Sequence, residues 1–293
     1  MPLETLTACP SCGSRALEHH IEVKDYSVSG EVFTIVKCTA CGLLLTNPRP
    51  QPSELGQYYQ SEDYVSHTNN GNNPVNLIYK LARTQTLRWK YNLIKKFNPL
   101  TILDFGCGTG HFLSYCKEKG LTVFGYEPDG NARSIAIKNV GESIVSQTEE
   151  LNETYDVITM WHVLEHVSEL AEVMKWLKKK LHPNGRLVIA LPNHESLDAK
   201  MFNEYWAAYD VPRHLYHFSK DSLKALAIKY GFCLESMHPM KLDSFYVSLL
   251  SNKYRSGSIK PFNSFINGFK SNTYAKNRMN YSSVIYVLKH ESL

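Results

Sequence analysis

Residues 101–110, with the sequence TILDFGCGTG, constrain the fold of this 293-residue chain more than any other stretch. An apolar run that carries one acid, Asp104, leads directly into glycines at three alternate positions, Gly106, Gly108 and Gly110. This order is typical of a buried strand that ends in a loop, where glycine permits a positive φ or the close approach of a ligand. The stretch therefore predicts an α/β sheet whose first strand ends at a ligand site.

Strand-like and helix-like segments alternate after this stretch. Further strands are predicted over residues 122–126, 143–145, 155–160, 186–191, 232–237 and 283–288. Helices are predicted over residues 74–97, 111–119, 132–139, 168–181 and 220–230. Alternation of this kind indicates a parallel sheet covered on both faces, in which ligands bind beyond the carboxyl ends of the strands. The basic helix at 74–97 either covers that ligand site or lies on the surface.

Informative residues stand at two other strand ends. Glu127 follows the second strand, where a carboxylate can accept hydrogen bonds from both hydroxyls of a ribose. Trp161 and His162 follow the fourth strand. The glycine spacing is GxGxG rather than GxGxxG, which disfavours a nicotinamide dinucleotide as the ligand.

The stretches LDFGCGTGHFL, GYEPD, YDVITMWHVLEHV and NGRLVIALPN resemble class I S-adenosylmethionine-dependent methyltransferases over about residues 75–240. The resemblance implies a Rossmann-like sheet of seven strands with helices on both faces, in an enzyme that uses S-adenosylmethionine and releases S-adenosylhomocysteine. It implies a cofactor site made of nine residues at strand ends, namely Asp104, Gly106, Cys107, Gly108, Gly110, Glu127, Gln147, Trp161 and His162. Gln147 stands where many members of the family have an aspartate.

Four of the seven cysteines form two CxxC pairs, Cys9 with Cys12 and Cys38 with Cys41, and each pair is followed by glycine. Four thiolates at this spacing suit tetrahedral zinc, and four protein ligands leave no open position for catalysis. Unmetallated thiols and a redox pair are the alternatives. Strands at 21–23 and 32–36 would complete a zinc ribbon.

Two domains are expected on this basis. Residues 1–65 would form the zinc-ribbon-like module and its linker, and residues 66–293 the methyltransferase domain with a helical, aromatic insert at about 241–282. The polar cluster at 67–74 is the expected boundary between them.

Charge and hydropathy bear on partners and location. Residues 1–65 carry 4 basic and 8 acidic side chains, a net charge of −4, which is unsuited to gripping nucleic acid. Residues 241–293 carry 8 basic and 2 acidic side chains, a net charge of +6, which we expect to form solvated helix faces. Neither a secretion signal nor a long apolar run is present, so we expect a cytoplasmic protein without a membrane partner. The oligomeric state is not predicted.

The stretch DVPRHLYHFS, at 210–219, resembles the segment of sugar C-methyltransferases in which a histidine acts as base. The resemblance places His214 at the position of the base, and His217 is a second candidate. Arg213 replaces a glutamate of that segment, and it either binds an acidic part of the acceptor or pairs with Asp210. A histidine suits proton removal near neutral pH.

The function implied is methyl transfer to a small-molecule acceptor, a sugar, glycan precursor or secondary metabolite, with a histidine as general base. Alternatively, a divalent ion takes part in catalysis. Ubiquinone-pathway O-methyltransferases share an EVxEH pattern, and this pattern corresponds here to His162, Glu165 and His166. An RNA methyltransferase acting on rRNA or tRNA is one alternative function. A non-enzymatic zinc scaffold with a degenerate methyltransferase fold is the other.

Overall fold

The computed structural model describes residues 3–59 and 74–291, and the side chains of its first long helix from residue 84 onward. The predicted boundary cluster at 67–74 therefore lies almost entirely outside the described residues.

The described residues form thirteen strands and eight α-helices. The strands are β1 (Leu3–Glu4), β2 (Leu17–Lys24), β3 (Val32–Cys38), β4 (Leu44–Thr46), β5 (Arg49–Pro50), β6 (Thr101–Phe105), β7 (Thr122–Tyr126), β8 (Ile144–Val145), β9 (Tyr155–Trp161), β10 (Leu181–Pro192), β11 (Tyr216–His217), β12 (Phe232–Pro239) and β13 (Ser283–His290). The α-helices are α1 (Pro74–Lys95), α2 (His111–Glu118), α3 (Gly130–Val140), α4 (Leu170–Lys180), α5 (Leu197–Phe202), α6 (Lys220–Lys229), α7 (Asp243–Ser256) and α8 (Pro261–Ala275). Short 3₁₀ turns occupy Pro52–Tyr59, Thr148–Glu150, Leu164–His166, Asn203–Tyr205 and Ala207–Tyr209.

Seven strands form the central sheet in the order β8–β7–β6–β9–β10–β13–β12. Only β13 runs antiparallel to its neighbours. The chain leaves β6 toward β8 and returns to β9 on the other side of β6, so the switch point lies between β6 and β9. Asp104, Glu127 and Trp161 all stand at or just beyond strand ends near this point.

Both faces of the sheet are covered, which explains the near-continuous apolar strands. On β10, Leu187, Ile189 and Leu191 pack in one apolar core with α4 and α6. Val188 and Ala190 point to the other face and pack with α1, α2 and α3. The predicted fold class is therefore confirmed. Strand β10 is longer than predicted, because it pairs with β9 again at Leu181, beyond a break in register.

The N-terminal strands β2 and β3 pair antiparallel, as predicted for a ribbon, and β4 and β11, which were not predicted, complete the sheet. β11 comes from the segment after β10, and it pairs with β4 through Tyr216 opposite Leu45 and His217 opposite Leu44. Cys9 and Cys38 pack in the same apolar core as the central sheet. The N-terminal module is thus joined to the rest of the chain by both hydrogen bonds and a shared core.

Helices α7 and α8 lie in the predicted insert at about 241–282 and pack against each other as a hairpin. Among the described residues, none of the helices is both long enough and apolar enough to cross a bilayer.

Candidate active site

The glycine loop after β6 is bonded to the end of β7. The backbone N–H groups of Gly106 and Cys107 both donate to the carbonyl oxygen of Tyr126, at 2.8 and 3.0 Å. The N–H of Gly108 donates to Oε2 of Glu127 at 2.7 Å. The two strand ends predicted to bind the cofactor therefore lie side by side.

The glycines of this loop serve different purposes, although Gly106, Gly108 and Gly110 all have positive φ, at 77°, 55° and 75°. A Cβ atom on Gly106 would lie 2.6 Å from the side chain of Val163. A Cβ atom on Gly110 would lie 3.1 Å from the backbone of Ala136 in α3. A Cβ atom on Gly108 would meet none of the described atoms within 4 Å. Packing inside the protein thus requires the first and third glycines, and the middle one faces space where a ligand can approach.

The acids at the ends of β6 and β7 are both buried. Thr159 Oγ1 donates a 2.6 Å hydrogen bond to Asp104, and burial raises the pKa of Asp104 to about 7. Oε1 of Glu127 accepts a hydrogen bond from the backbone N–H of Asp129 at 3.0 Å, and burial raises the pKa of the Glu127 carboxyl. The raised pKa values indicate that hydrogen bonds within the protein do not fully replace the water that these two carboxylates lose on burial. A ligand with a cationic group and hydroxyl donors would supply the further charge and hydrogen bonds that stabilise the two carboxylates.

A cation already lies over an aromatic ring near these acids. Nζ of Lys90, from α1, is 4.2 Å from the centroid of the Trp161 ring and 5.8 Å from that of Phe112. Burial lowers the pKa of Lys90, and Asp104 and Asp243 act in the opposite direction. Nε1 of Trp161 is buried and has no hydrogen-bond partner among the described residues. The end of α1 therefore covers the site, and Lys90 supplies the cation that faces the Trp161 ring and Asp104.

His162 stands at the end of β9, as predicted, in a left-handed backbone conformation with φ of 58°. Its Nδ1 lies 3.4 Å from Glu165, and its Nε2 lies 3.2 Å from Asp243 at the start of α7. Burial opposes its charge, but the two carboxylates raise the pKa of His162 to about 10. His162 is therefore a charged link between β9 and α7.

Glu165, His166 and His214 converge, with one possible ligand atom from each lying within 4.8 Å of the others. The Glu165 side chain is fully buried, and neither of its carboxylate oxygens has a hydrogen-bond partner among the described residues. Its charged neighbour is His162, and the ion pair with that imidazole lowers the pKa of Glu165 although burial acts against it. A buried carboxylate with so few partners is unusual.

The two imidazoles of this cluster are held in defined tautomers. Nδ1 of His214 lies 2.9 Å from the carbonyl oxygen of Ala208, which can only accept, so Nδ1 carries the proton and Nε2 the lone pair. Nδ1 of His166 lies 3.0 Å from the carbonyl oxygen of Arg213 and 3.0 Å from the Tyr59 hydroxyl. Burial and the neighbouring His214 lower the pKa of His166 to about 4. The rings meet edge to face, with centroids 4.6 Å apart.

A family described as "Methyltransferase domain" matches residues 79–236, which is more than half of the chain. The chain belongs to this methyltransferase-domain family. The interpretation as a class I S-adenosylmethionine-dependent methyltransferase is thereby confirmed at the level of family and fold.

Ubiquinone biosynthesis O-methyltransferases are among the relatives of this methyltransferase domain. The protein from Agrobacterium fabrum is 32% identical over 125 residues, which cover 40% of this chain and 49% of that protein. The mitochondrial protein from Schizosaccharomyces pombe is 32% identical over 105 residues, 32% of this chain and 38% of that protein. The chain thus spans about half or less of the length of these two relatives.

The fold is also that of magnesium protoporphyrin IX methyltransferase from Synechocystis PCC 6803, solved with bound S-adenosylhomocysteine. The TM-score is 0.54 at 14% identity, and the match covers 83% of this chain and all of that one. At this identity the likeness concerns the fold alone.

Three other predicted site residues of the methyltransferase domain, Cys107, Gln147 and His217, make contacts of their own within the protein. The thiol of Cys107 is buried in the apolar core, and burial raises its pKa. Gln147 is exposed after β8, where its backbone N–H donates to Glu150 at 3.0 Å. His217 is buried against Thr46, with 3.2 Å between Nε2 and Oγ1, and burial lowers its pKa well below the usual value. These contacts give His217 a packing role at the junction with the N-terminal sheet.

Arg213 pairs with Asp210, which was one of the two alternatives drawn from the sequence. Its guanidinium contacts Asp210 at 2.7 Å and Asp25 at 3.0 Å, and it donates to the carbonyl oxygen of Tyr58 at 2.9 Å. Arg213 is almost fully buried. It therefore ties the segment after β10 to the N-terminal module and is not available to bind an acceptor.

The four cysteines of the two CxxC pairs come together as predicted. Sγ of Cys9 lies 3.6 Å from that of Cys41, and Sγ of Cys12 lies 3.5 Å from that of Cys38. Four thiolates about 2.3 Å from one zinc ion would lie roughly 3.8 Å apart, so this arrangement fits tetrahedral zinc. Burial raises the pKa of Cys41 to about 11 because it disfavours the thiolate, and a bound cation would stabilise that thiolate. The seven cysteines, all within the described part of the chain, form no disulfide.

Three site residues were not foreseen from the sequence, namely Lys90, Asp243 and Ala208. Lys90 lies in a helix with several basic residues and is not part of a recognisable motif. Asp243 is the only acid of residues 241–290, and that isolation was the one available signal. Ala208 contributes through its carbonyl oxygen, which no side-chain pattern reveals.

Proposed function

We propose that this protein transfers the methyl group of S-adenosylmethionine to a hydroxyl of a small-molecule acceptor, with His214 as general base. Acceptors of the expected classes are a sugar, a glycan precursor or a secondary metabolite. Membership of the methyltransferase-domain family supports the methyl transfer, and the names of the ubiquinone biosynthesis O-methyltransferases support a hydroxyl acceptor.

The contact between Nδ1 of His214 and the carbonyl oxygen of Ala208 is the main support for the assignment of the base. Because its Nδ1–H donates to Ala208, the lone pair of Nε2 is free to accept a proton from the acceptor hydroxyl. Asp210 lies 3.9 Å from Nε2 and would stabilise the imidazolium that forms. A positioned base of this kind contributes about 10²- to 10⁴-fold to the rate.

Residues at the ends of β6, β7 and β9 would hold the methyl donor. Glu127 would accept hydrogen bonds from the ribose, and Asp104 would pair with the ammonium group of the methionine part. Gly108 would lie against the ligand, because space is open at its Cα. When bound, S-adenosylmethionine supplies an electrophilic methyl group on sulfur.

We also propose that Cys9, Cys12, Cys38 and Cys41 hold a structural zinc ion. The sulfur separations of 3.5 and 3.6 Å support this assignment, as does the burial of Cys9 and Cys38. Since all four positions of a tetrahedral ion would be filled by the protein, the ion would stabilise the fold without joining the reaction.

A divalent cation at Glu165, His166 and His214 is a second candidate for activation of the acceptor. The favouring observation is the buried carboxylate of Glu165, which has no hydrogen-bond partner among the described residues and faces two imidazoles. Both imidazoles place Nδ1 against a carbonyl oxygen, the outer contact that metal-bound histidines commonly make. The sequence interpretation placed such an ion on His162, Glu165 and His166. The nitrogens of His162 both face carboxylates, and His214 takes its place in this cluster.

The test is transfer of labelled methyl from S-adenosylmethionine to a panel of catechols, phenols and nucleotide-linked sugars. We expect His214→Ala to lose about 10²- to 10⁴-fold in turnover and to keep its affinity for S-adenosylhomocysteine. The control His19→Ala changes an exposed histidine on β2 and should stay fully active. A fully active His214→Ala would exclude His214 as base. Loss of activity on chelation, restored by Mg²⁺ or Mn²⁺, would favour the metal.

A further inference from the structure

The helical hairpin of α7 and α8 has an unusual distribution of side chains. A helix at the surface of a protein in water normally buries its large apolar residues and exposes its polar ones. Here the reverse holds for α8, whose buried residues are Ser264, Gly268, Ser271 and Ala275.

Small and polar residues form the contact between the two helices. Ser244, at the start of α7, donates to the carbonyl oxygen of Gly268 at 3.2 Å, and Asn252 donates to the hydroxyl of Ser264 at 2.9 Å. A Cβ atom on Gly268 would lie 3.0 Å from Cα of Phe245, so the backbones approach closely at that point. Close approach through small residues with hydrogen bonds between helices is typical of helix pairs in lipid.

Large aromatic side chains lie on the outside of the hairpin. Phe262, Phe265 and Phe269 are spaced by three and four residues, so they share one face of α8. Their exposed fractions are 76%, 61% and 60%. Tyr246 of α7 and Leu242 just before it are also mostly exposed. Exposed apolar residues of this size on one face of a helix mark an interaction surface.

The segment that carries these rings has a strongly positive charge. Within residues 241–278 one acid, Asp243, stands against seven basic residues, Lys241, Lys253, Arg255, Lys260, Lys270, Lys276 and Arg278. All seven basic side chains are exposed. Lys260 precedes the aromatic face in sequence, and Lys270 directly follows Phe269.

We propose that this face of the α7–α8 hairpin docks on an anionic lipid bilayer, with the phenylalanine rings at the boundary of the headgroups and the lysines among the phosphates. Aromatic residues on one side and lysines beside them are the composition of helices that lie in a membrane interface. The sequence expectation of no membrane partner rested on the lack of a spanning segment, and a helix that lies in the interface needs none.

A second copy of the chain is a less suitable occupant of this face. A symmetric contact would bring two surfaces of the same positive charge together, and their repulsion would oppose the burial of the rings. An anionic bilayer is complementary to both the charge and the apolar rings. The hairpin also reaches the active site, since Asp243 contacts His162.

The experiment is flotation of the full chain with vesicles of phosphatidylcholine, or of an equal mixture of phosphatidylcholine and phosphatidylglycerol. We expect binding to the mixed vesicles that weakens with salt and is far weaker on pure phosphatidylcholine. The variant F262S/F269S should lower the partition coefficient by about tenfold or more. The control L100S/I228S changes residues of similar exposure, 78% and 51%, outside the hairpin and should bind as the wild type.

The proposal would be overturned by a wild-type protein that floats with neither kind of vesicle, or by an F262S/F269S variant that floats as well as the wild type. If vesicles are not bound and sedimentation velocity shows a dimer that F262S/F269S abolishes, the face belongs to a second copy instead. Unchanged binding of S-adenosylhomocysteine by F262S/F269S checks that the variant is folded.

Discussion

The backbone N–H of Gly108 donates to Oε2 of Glu127 at 2.7 Å, and this bond joins the loop after β6 to the end of β7. The other carboxylate oxygen accepts from the N–H of Asp129 at 3.0 Å. Two backbone donors thus fix the orientation of Glu127 before any ligand binds. A carboxylate held in this way is ready to accept further hydrogen bonds from a ribose at little entropic cost.

Replacing Asp104 by asparagine should stabilise the protein and weaken cofactor binding. In the folded protein Asp104 keeps its proton up to about pH 7, whereas in the unfolded chain it releases the proton near pH 4. The folded state therefore loses stability as pH rises between these values, and asparagine avoids the loss while still accepting from Thr159. We expect the variant to gain about 1–3 kcal/mol at pH 8, and much less at pH 5, in urea unfolding. An equal gain at both pH values would contradict the assignment of the raised pKa to Asp104.

Gly106 and Gly108 should respond differently to substitution by alanine. Both have positive φ, which costs roughly 1–2 kcal/mol with alanine. Gly106→Ala adds a clash with Val163, so we expect a larger loss of stability, by about 1–3 kcal/mol more. Gly108→Ala should fold with the smaller loss but should lose affinity for S-adenosylhomocysteine. Thermal unfolding and calorimetric binding of both variants measure these effects, and equal losses of stability would refute the distinction.

Arg213→Met should strongly destabilise the protein. The substitution leaves Asp25 buried without its cation, and breaking a buried pair of this kind costs about 3–5 kcal/mol. The matched control is Arg186→Met, which breaks the partly exposed pair with Glu235 and should cost about 0–1 kcal/mol. Urea unfolding compares the two variants. A similar small effect of both would show that Arg213 does not join the two parts of the chain.

Removal of zinc should destabilise the whole chain and not only the N-terminal module. Because Cys9 and Cys38 share an apolar core with the central sheet, we expect Cys12→Ser, or treatment with a chelator, to lower the unfolding temperature of the whole chain. Metal analysis of the untreated protein should find about one zinc per chain. A chain without zinc that unfolds at the same temperature would exclude the structural role.

The strands of the central sheet could be predicted because apolar runs and turn residues specify them locally. β6 and β7 begin and end at the predicted residues, Thr101–Phe105 and Thr122–Tyr126. The cysteine cluster could be predicted for the same reason, since two CxxC pairs bring their own ligands together.

Contacts between distant segments could not be predicted in this way. The pairing of β11 with β4 depends on a strand of two residues, too short to give a pattern. Arg213 meets Asp25 across most of the chain, and single charged residues carry no sign of their partners. The outward face of α8 was likewise hidden, because phenylalanines at helical spacing normally indicate a buried face.

Calorimetry at pH 8 measures whether S-adenosylhomocysteine binds to the purified protein at the ends of β6 and β7. We predict one site per chain, a loss of affinity of at least about tenfold in Glu127→Ala, and wild-type affinity in the control Glu235→Ala. A wild-type protein that gives no binding heat and no shift in unfolding temperature with this ligand, or a Glu127→Ala variant that binds it unchanged, would contradict a cofactor site at Glu127.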